Sequence, residues 1–264
     1  MATRILMAGL GFPESPRWHQ GRVYVSDWAA GRVHAVSVDG TSEVVAAGSS
    51  FPMCIDFLPD GRLLVVHGTE LRVREGTGLV RYADLSDLSP FVFNDITVDR
   101  TGTVYVNSIG FDFVGGEQPR PGIIAAVTPD GVARVVAGGV QFPNGMVVLD
   151  DTTLLVAESH GQCITAFDIT ADATLSAGRT WAATPGHHPD GICLAPDGTL
   201  WYADVATGQC VNLNASGEAR HTVQLDRGAF ACTIAGGVLY VTTNTWGPDF
   251  DPSAGHGQLV AIDL

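Results

Sequence analysis

No lysine occurs in this sequence; its 14 basic residues are all arginine. That absence removes Schiff-base chemistry and the lysine of a phosphate-binding loop from consideration. Positive charge is scarce as well, because 28 acidic residues bring the formal net charge to -14. Such a surface repels a phosphate backbone or an anionic bilayer, so neither nucleic acid nor a membrane is expected as a partner. The five cysteines (Cys54, Cys163, Cys193, Cys210 and Cys232) are odd in number and include no Cys-x-x-Cys pair. They read as small buried thiols in a reducing, cytoplasmic setting rather than as a disulfide framework or zinc ribbon. No apolar run reaches membrane-spanning length, and the opening "MATRILMAGLGFPES" is too brief for a signal segment. The Gly-x-Ser-x-Gly elbow and the His-Glu-x-x-His motif are both missing, which leaves a serine hydrolase of that type and a zincin without support.

What the sequence does hold is repetition. The stretches "FPESPRWHQGRVYVSD" (12–27), "FPMCIDFLPDGRLLVV" (51–66), "FNDITVDRTGTVYVNS" (93–108), "FPNGMVVLDDTTLLVAES" (142–159), "HPDGICLAPDGTLWYAD" (188–204) and "FACTIAGGVLYVTT" (230–243) are variants of one pattern. Each runs from a distinctive residue through a short apolar strand and a tight polar turn, often Asp-Gly, into a second strand. Alternation around such a turn is the signature of a β-hairpin.

Aligned, the copies place Glu14, Met53, Asn94, Asn144, Asp190 and Cys232 in one column, spaced by 39, 41, 50, 46 and 42 residues. A period of this length holds about four strands and matches a propeller blade. Strand-like runs such as "GRVHAVSVD" (31–39) and "QCITAFDI" (162–169) follow the hairpins and are assigned to the outer strands. The expected fold is all-β, a six-bladed β-propeller of four-stranded antiparallel blades filling residues 1–264 as one domain. "TRILMAG" (3–9) and "GQLVAIDL" (257–264) would share the last blade, because closing the ring removes exposed edges.

In a radial array the start of every innermost strand faces the central channel, so residues of one column converge on one axis. Four of the six positions (Glu14, Asn94, Asn144 and Asp190) carry oxygen donors, two of them carboxylates. Two buried carboxylates side by side call for a counter-charge, and a divalent cation supplies one. Carboxylate and amide oxygens are hard donors that suit calcium, magnesium or manganese, with zinc or iron(II) also compatible.

These motifs, "FPESPRW", "FNDITVDRTGTVYV", "FPNGMVV" and "HPDGICLAPDGTLWYAD", resemble the blade motifs of the senescence marker protein/gluconolactonase (regucalcin-like) family over essentially the whole chain. The resemblance implies one divalent metal ion held by Glu14, Asn144 and Asp190, a substrate-contacting Asn94, and an acidic loop residue that falls on Asp112. It also implies a lactonase that opens a small lactone or ester with a metal-activated water, with Asp190 as a candidate base and Asn94 as a catalytic positioning group. An organophosphate-type hydrolase on the same metal and a non-enzymatic binding propeller are the alternatives. The chain departs from the family where lactonases acting on sugars carry an Arg two residues before Asn-Asp, since Val92 stands there, and where Glu-Gly-Pro becomes "ESP". With Met53, Trp28, Phe111, Phe113 and Trp246 nearby in sequence, a pocket more apolar than a sugar site is expected.

His160 follows the end of a second strand and is a candidate substrate contact, whereas His187 and His188 read as loop residues. The long connections 108–122 and 244–257, rich in Gly, Pro and aromatics, are expected to cover the channel mouth. "DFDPSAG" (249–255) lacks the register of a calcium loop and is assigned to that cover.

Overall fold

The computed structural model describes residues 2–248 and 250–264. Among them are 24 β-strands and one 3-10 turn, Pro252–Ala254. Six antiparallel four-stranded sheets form the blades. Blade 1 starts one strand into the chain, after β1 (Thr3–Leu10), and runs β2 (Pro13–His19), β3 (Arg22–Asp27), β4 (Arg32–Val36), β5 (Ser42–Ala47). Blade 2 is β6 (Ile55–Phe57), β7 (Leu63–His67), β8 (Glu70–Glu75), β9 (Gly78–Asp84). Blade 3 is β10 (Ile96–Val98), β11 (Val104–Ser108), β12 (Gly122–Val127), β13 (Ala133–Val140). Blade 4 is β14 (Pro143–Leu149), β15 (Thr153–Glu158), β16 (Cys163–Asp168), β17 (Arg179–Ala183). Blade 5 is β18 (Pro189–Leu194), β19 (Leu200–Asp204), β20 (Gln209–Leu213), β21 (Ala219–Gln224). Blade 6 is β22 (Gly228–Ala235), β23 (Val238–Asn244), β24 (Gly257–Asp263), with β1 as its outermost strand.

The repeats therefore mark the inner two strands of each blade, as expected. The runs assigned from sequence to the outer strands are the third strands; the outermost strands, such as β5 and β21, are separate segments. Their polarity hid them: β21 exposes five of its six residues, whereas every residue of β11 and of β19 is buried. A second strand has its own blade on both sides and neighbouring blades above and below, so both faces become apolar. An outermost strand meets water along its edge and alternates or turns polar.

Turn chemistry sets the hairpins. In three inner hairpins two adjacent residues both have positive φ: Gln20-Gly21, Asp150-Asp151 and Gly236-Gly237. This is the turn whose twist matches the strands it joins. Blade 4 achieves it with two aspartates, which tolerate the left-handed region better than most side chains.

The ring closes at two places. The strand β1 pairs with β24, Thr3 opposite Ile262, and Asn244 at the end of β23 donates from Nδ2 to the Gly11 carbonyl at 2.8 Å. The inner strands contact one another in a cycle, β2 with β6, β6 with β10, β10 with β14, β14 with β18, β18 with β22 and β22 with β2. No helix among the described residues is long and apolar enough to cross a membrane.

Glycine lets the inner strands approach one another near the axis. A Cβ at Gly145 would stand 2.5 Å from the Ile192 nitrogen and 2.7 Å from the Asp190 carbonyl oxygen, both backbone atoms that cannot step aside. Gly145→Ala is expected to cost about 1–3 kcal/mol and to lower Tm by about 5 °C in a thermal melt followed by circular dichroism. An unchanged Tm would mean the two inner strands are less tightly apposed than described.

Candidate metal centre on the channel axis

Strand register defines the column. Pro13 pairs with Asp27 and Glu14 with Ser26 before a bulge; Pro143 pairs with Glu158 and Pro189 with Asp204 before equivalent bulges. In blade 6 Gly228 pairs with Asn244 and Ala229 with Thr243 before the bulge. The sixth column residue is thus Ala229, correcting the placement of Cys232. Phe230 misleads the alignment: it mimics the Phe that precedes Glu14, Met53 and Asn144, but it stands after the column position.

The end of each second strand fixes the loop that leads into the column. Asp27 accepts from the Gly11 and Phe12 amides at 2.9 Å each. Glu158 accepts from the Gln141 amide at 2.6 Å. Asp204, fully buried, accepts from the His188 amide at 3.3 Å and from the Thr207 hydroxyl at 2.6 Å. These carboxylates satisfy amides that a turning chain would leave unpaired, and so hold Glu14, Asn144 and Asp190 at the channel.

Glu14, Asp190 and Asn94 are buried, and Asn144 is half-buried beside them. Asn94 Nδ2 lies 3.5 Å from Asn144 Oδ1 and 3.4 Å from the Pro143 carbonyl. Asn144 Nδ2 reaches the Ser159 hydroxyl at 3.4 Å, and that hydroxyl donates to the Pro189 carbonyl at 2.8 Å. Asn107 Nδ2 donates to the Asn144 carbonyl at 2.8 Å. Glu14 Oε2 accepts the Ser15 amide at 2.8 Å.

Electrostatics single out two of these groups. Burial pushes the Glu14 carboxyl up to about 8; the Ser15 amide opposes the shift and the charge of Asp95 adds to it. Asp190 is pushed well above the usual carboxylate range, first by burial, then by the charges of Glu14, Asp95 and Asp204, against a hydrogen bond from Asn144. Two acids far apart in sequence thus share a dry site and repel one another.

A cation does lie in the channel, but others hold it. Arg17, three residues beyond Glu14, places Nη2 3.3 Å from Asp95 Oδ1 and Nε 3.7 Å from Asp56 Oδ1. Its Nη2 also donates to the Ile96 carbonyl at 2.8 Å. Burial raises Asp56 and Asp95, and Arg17 pulls both back. One guanidinium serves Asp95 and Asp56 by contact and lowers Glu14 only through its charge, the least of the influences on that group, while the charges that act on Asp190 are those of other acids. The Glu14 and Asp190 oxygens, with the amide oxygens of Asn144 and Asn94, form a hard donor set deficient in positive charge, which fits a divalent cation. Among the described residues no group of three or more His, Cys, Asp or Glu side chains is placed to hold a metal, so amide oxygens are needed to complete any such set.

The other sequence candidates are placed differently. Asp112 is exposed and spans its own loop, accepting the Gly115 amide at 2.7 Å while its amide donates to Glu117 at 2.9 Å. His160 is exposed and packs on Phe142, ring centroids 4.5 Å apart. His188 Nδ1 lies 2.8 Å from the Ser159 carbonyl; a carbonyl only accepts, so Nδ1 carries the proton. His187 Nδ1 is 2.9 Å from the Tyr202 hydroxyl. Four cysteines are buried and Cys163 is half-buried; Cys193 and Cys232 sit with sulfurs 3.6 Å apart.

Both long loops pack against the residues just outside the column. Phe111 and Phe113 meet Phe142 edge to face at 5.7 and 5.4 Å. Trp246 packs on Phe230 at 5.5 Å and Phe250 on Phe12 at 5.2 Å. Within the 249–255 stretch, Asp249 lies outside the described residues. Sequence reasoning missed the Arg17, Asp56 and Asp95 network. Its members stand one or three places beyond column positions, a signal the alignment already contained.

The channel axis of this propeller thus gathers two buried carboxylates with two amides. The chain belongs to the SMP-30/gluconolactonase/LRE-like family, whose region matches residues 12–245. Its architecture is similar to a gluconolactonase from Xanthomonas campestris, with a TM-score of 0.80 at 22% identity over 99% of this chain and 89% of that one. It is also similar to the calcium-binding protein regucalcin from Agrobacterium tumefaciens, with a TM-score of 0.82 at 17% identity over 100% and 94%. Among curated proteins, virginiamycin B lyase of Nocardia farcinica is 27% identical over 150 residues, 56% of this chain and 47% of that protein, about half of its length.

Removing the guanidinium should expose the cost of the acids it serves. Arg17→Met is expected to lose about 3–5 kcal/mol in urea unfolding because buried carboxylates are left unpaired. Adding Asp95→Asn should restore part of it. An Arg17→Met protein as stable as the parent would show that the network contributes little.

Proposed function

We propose that this protein is a divalent-metal-dependent hydrolase that opens a small lactone or ester at the channel axis. The observation that carries the reading is the buried pair Glu14 and Asp190, joined by Asn144, with Arg17 in contact with Asp56 and Asp95 and too little positive charge for all four acids. Membership of a family whose relatives include a gluconolactonase and a calcium-binding regucalcin supports it. Glu14, Asn144 and Asp190 would hold the ion, with calcium, magnesium or manganese the cations matched to oxygen donors. When bound, it supplies Lewis acidity toward a carbonyl oxygen and lowers the pKa of water.

The protein's own groups do the rest. The Ser15 amide fixes the Glu14 carboxylate. Asp190 accepts the proton that attacking water loses. Asn94 offers its amide hydrogens to the ring or ester oxygen, so that the carbonyl carbon faces the water. Aromatics from the two long loops limit solvent above the reacting bond. No serine or cysteine nucleophile is invoked, so no acyl-enzyme should accumulate. His160, at the edge of the aromatic group, contacts the substrate, and the loop closed by Asp112 holds Phe111 and Phe113 beside it.

The same donor set would polarise a phosphoryl oxygen, which keeps a phosphotriesterase as the second reading; a propeller that only binds a partner is the third. The test is chelation followed by reconstitution with single metals, read on a panel of lactones and one phosphotriester, beside metal analysis of the parent and Asp190→Ala. The parent is expected to carry about one divalent ion per chain and to open lactones with gain of one water. Asp190→Ala should lose the ion and at least 100-fold in kcat/KM, about the scale of one essential group. Equal metal in both proteins would refute the ligand assignment. Ring opening without added water would indicate elimination, and no turnover with any metal would favour the binding propeller.

A further inference from the structure

Six aromatic side chains form one continuous wall beside the axis. Phe12 immediately precedes the Pro13-Glu14 step, and its ring packs against Trp28 at 5.1 Å, Phe51 at 5.7 Å, Phe230 at 5.1 Å and Phe250 at 5.2 Å. Trp246 extends the wall through Phe230. Phe12 and Phe51 both stand two residues before a column position, in the segments that lead into β2 and β6. Trp28 and Phe51 also line a cleft of about 770 Å3 between the loops of blades 1 and 2 and the Pro252–Ala254 turn. None of Glu14, Asn94, Asn144 or Asp190 lines that cleft; the aromatic wall connects it to the axis.

The wall is incomplete as it stands. Phe51 is 45% exposed and Trp246 49% exposed, although both sit in an aromatic cluster. The Trp28 indole Nε1 is buried with no hydrogen-bond partner among the described residues, an unusual condition for a tryptophan. Across the ring, where blade 4 stands opposite blade 1, Phe111, Phe113, Phe142 and His160 form a second aromatic group.

The cleft also carries Asp27, Ser49, Ser50 and Ser253. Of these, Asp27 accepts the Gly11 and Phe12 amides, Ser50 donates to the Pro52 carbonyl and Ser253 to Asp251; two arginines of the loops are engaged as well. Arg120 is held by Glu117 at 2.7 Å and lies 5.4 Å from the Phe91 ring. Arg227 is held by Asp226 at 3.0 Å and by the His256 carbonyl at 3.0 Å. The net charge of -14 disfavours anions at long range.

We propose that the substrate is an uncharged lactone or ester bearing an alkyl or aryl substituent, with its carbonyl at the axis and the substituent laid along Phe12, Trp28 and Phe51 into the blade 1–2 cleft. The proposal rests on the hydrolase reading above and adds the substrate class to it. A cleft of this volume suits a substituent of ligand size. An apolar group covers the exposed Phe51 ring, whereas a polyol laid along the wall would set hydroxyls against phenyl rings.

The experiment uses the metal-reconstituted full chain and four six-membered lactones that differ only in substituents: δ-valerolactone, δ-decalactone, δ-phenyl-δ-valerolactone and glucono-δ-lactone. The pentyl and phenyl lactones are expected to exceed the glucono-lactone in kcat/KM by at least ~10-fold. Phe51→Ser, at an exposed position, should lower their kcat/KM relative to δ-valerolactone by about 10-fold, mainly through KM. Opening of none of the four would sink the hydrolase reading itself. Opening of the glucono-lactone as fast as the apolar pair would leave that reading intact and overturn the substrate class. A ratio unmoved by Phe51→Ser but lowered by Phe113→Ser would overturn the placement in the blade 1–2 cleft.

Discussion

The structure depends on a ring of inner strands packed closely enough that six strand starts face one another. The packing is backbone against backbone where Gly145 meets Asp190 and Ile192, and where Gly191 meets Ala231, whose Cβ would be 2.3 Å from an added one. Side chains excluded from the strand crossings are displaced to the ends, and the ends are where chemistry can collect. The polar column is therefore a consequence of the fold's geometry. What is particular to this chain is which of the six positions carry charge.

Charge in that channel is distributed in layers. Glu14 and Asp190 stand at the column, Asp95 one step beyond it, and Arg17 and Asp56 three steps beyond. Cys193 and Cys232, also three steps beyond, fill the remaining sector with weakly polar volume. Such an order separates the paired guanidinium from Glu14 and Asp190 along the axis.

The blade count, the sharing of the last blade and four of the donors were legible because hairpin spacing is a local property repeated six times. Blade 6 misled by one detail: Phe230 follows its column residue where Phe12 and Phe142 precede theirs, and only the pairing of Ala229 with Thr243 reveals it. The outermost strands were illegible because edge strands lack the apolar alternation on which strand reading relies. The Arg17 network is less plain: Asp56 and Asp95 lie in other blades, so the pairing emerges only when positions one and three places beyond the column are compared across the copies. Asp112 shows the converse. A carboxylate at a family position looks functional by alignment, yet its oxygen is bound to the Gly115 amide within its own turn.

The manner of closure has a consequence for how the protein is made. Among the described residues the only strand that pairs with β1 is β24, so β1 must wait for a strand made after five intervening blades. Blades 1 to 5 are each contiguous in sequence and can form in order of synthesis, but the ring stays open until that final pairing. Loop-closure entropy of nearly the whole chain is charged to this one event. Nascent protein should accordingly persist as a curved, unsealed stack with its axial acids still hydrated, and enclose its channel only at the last step.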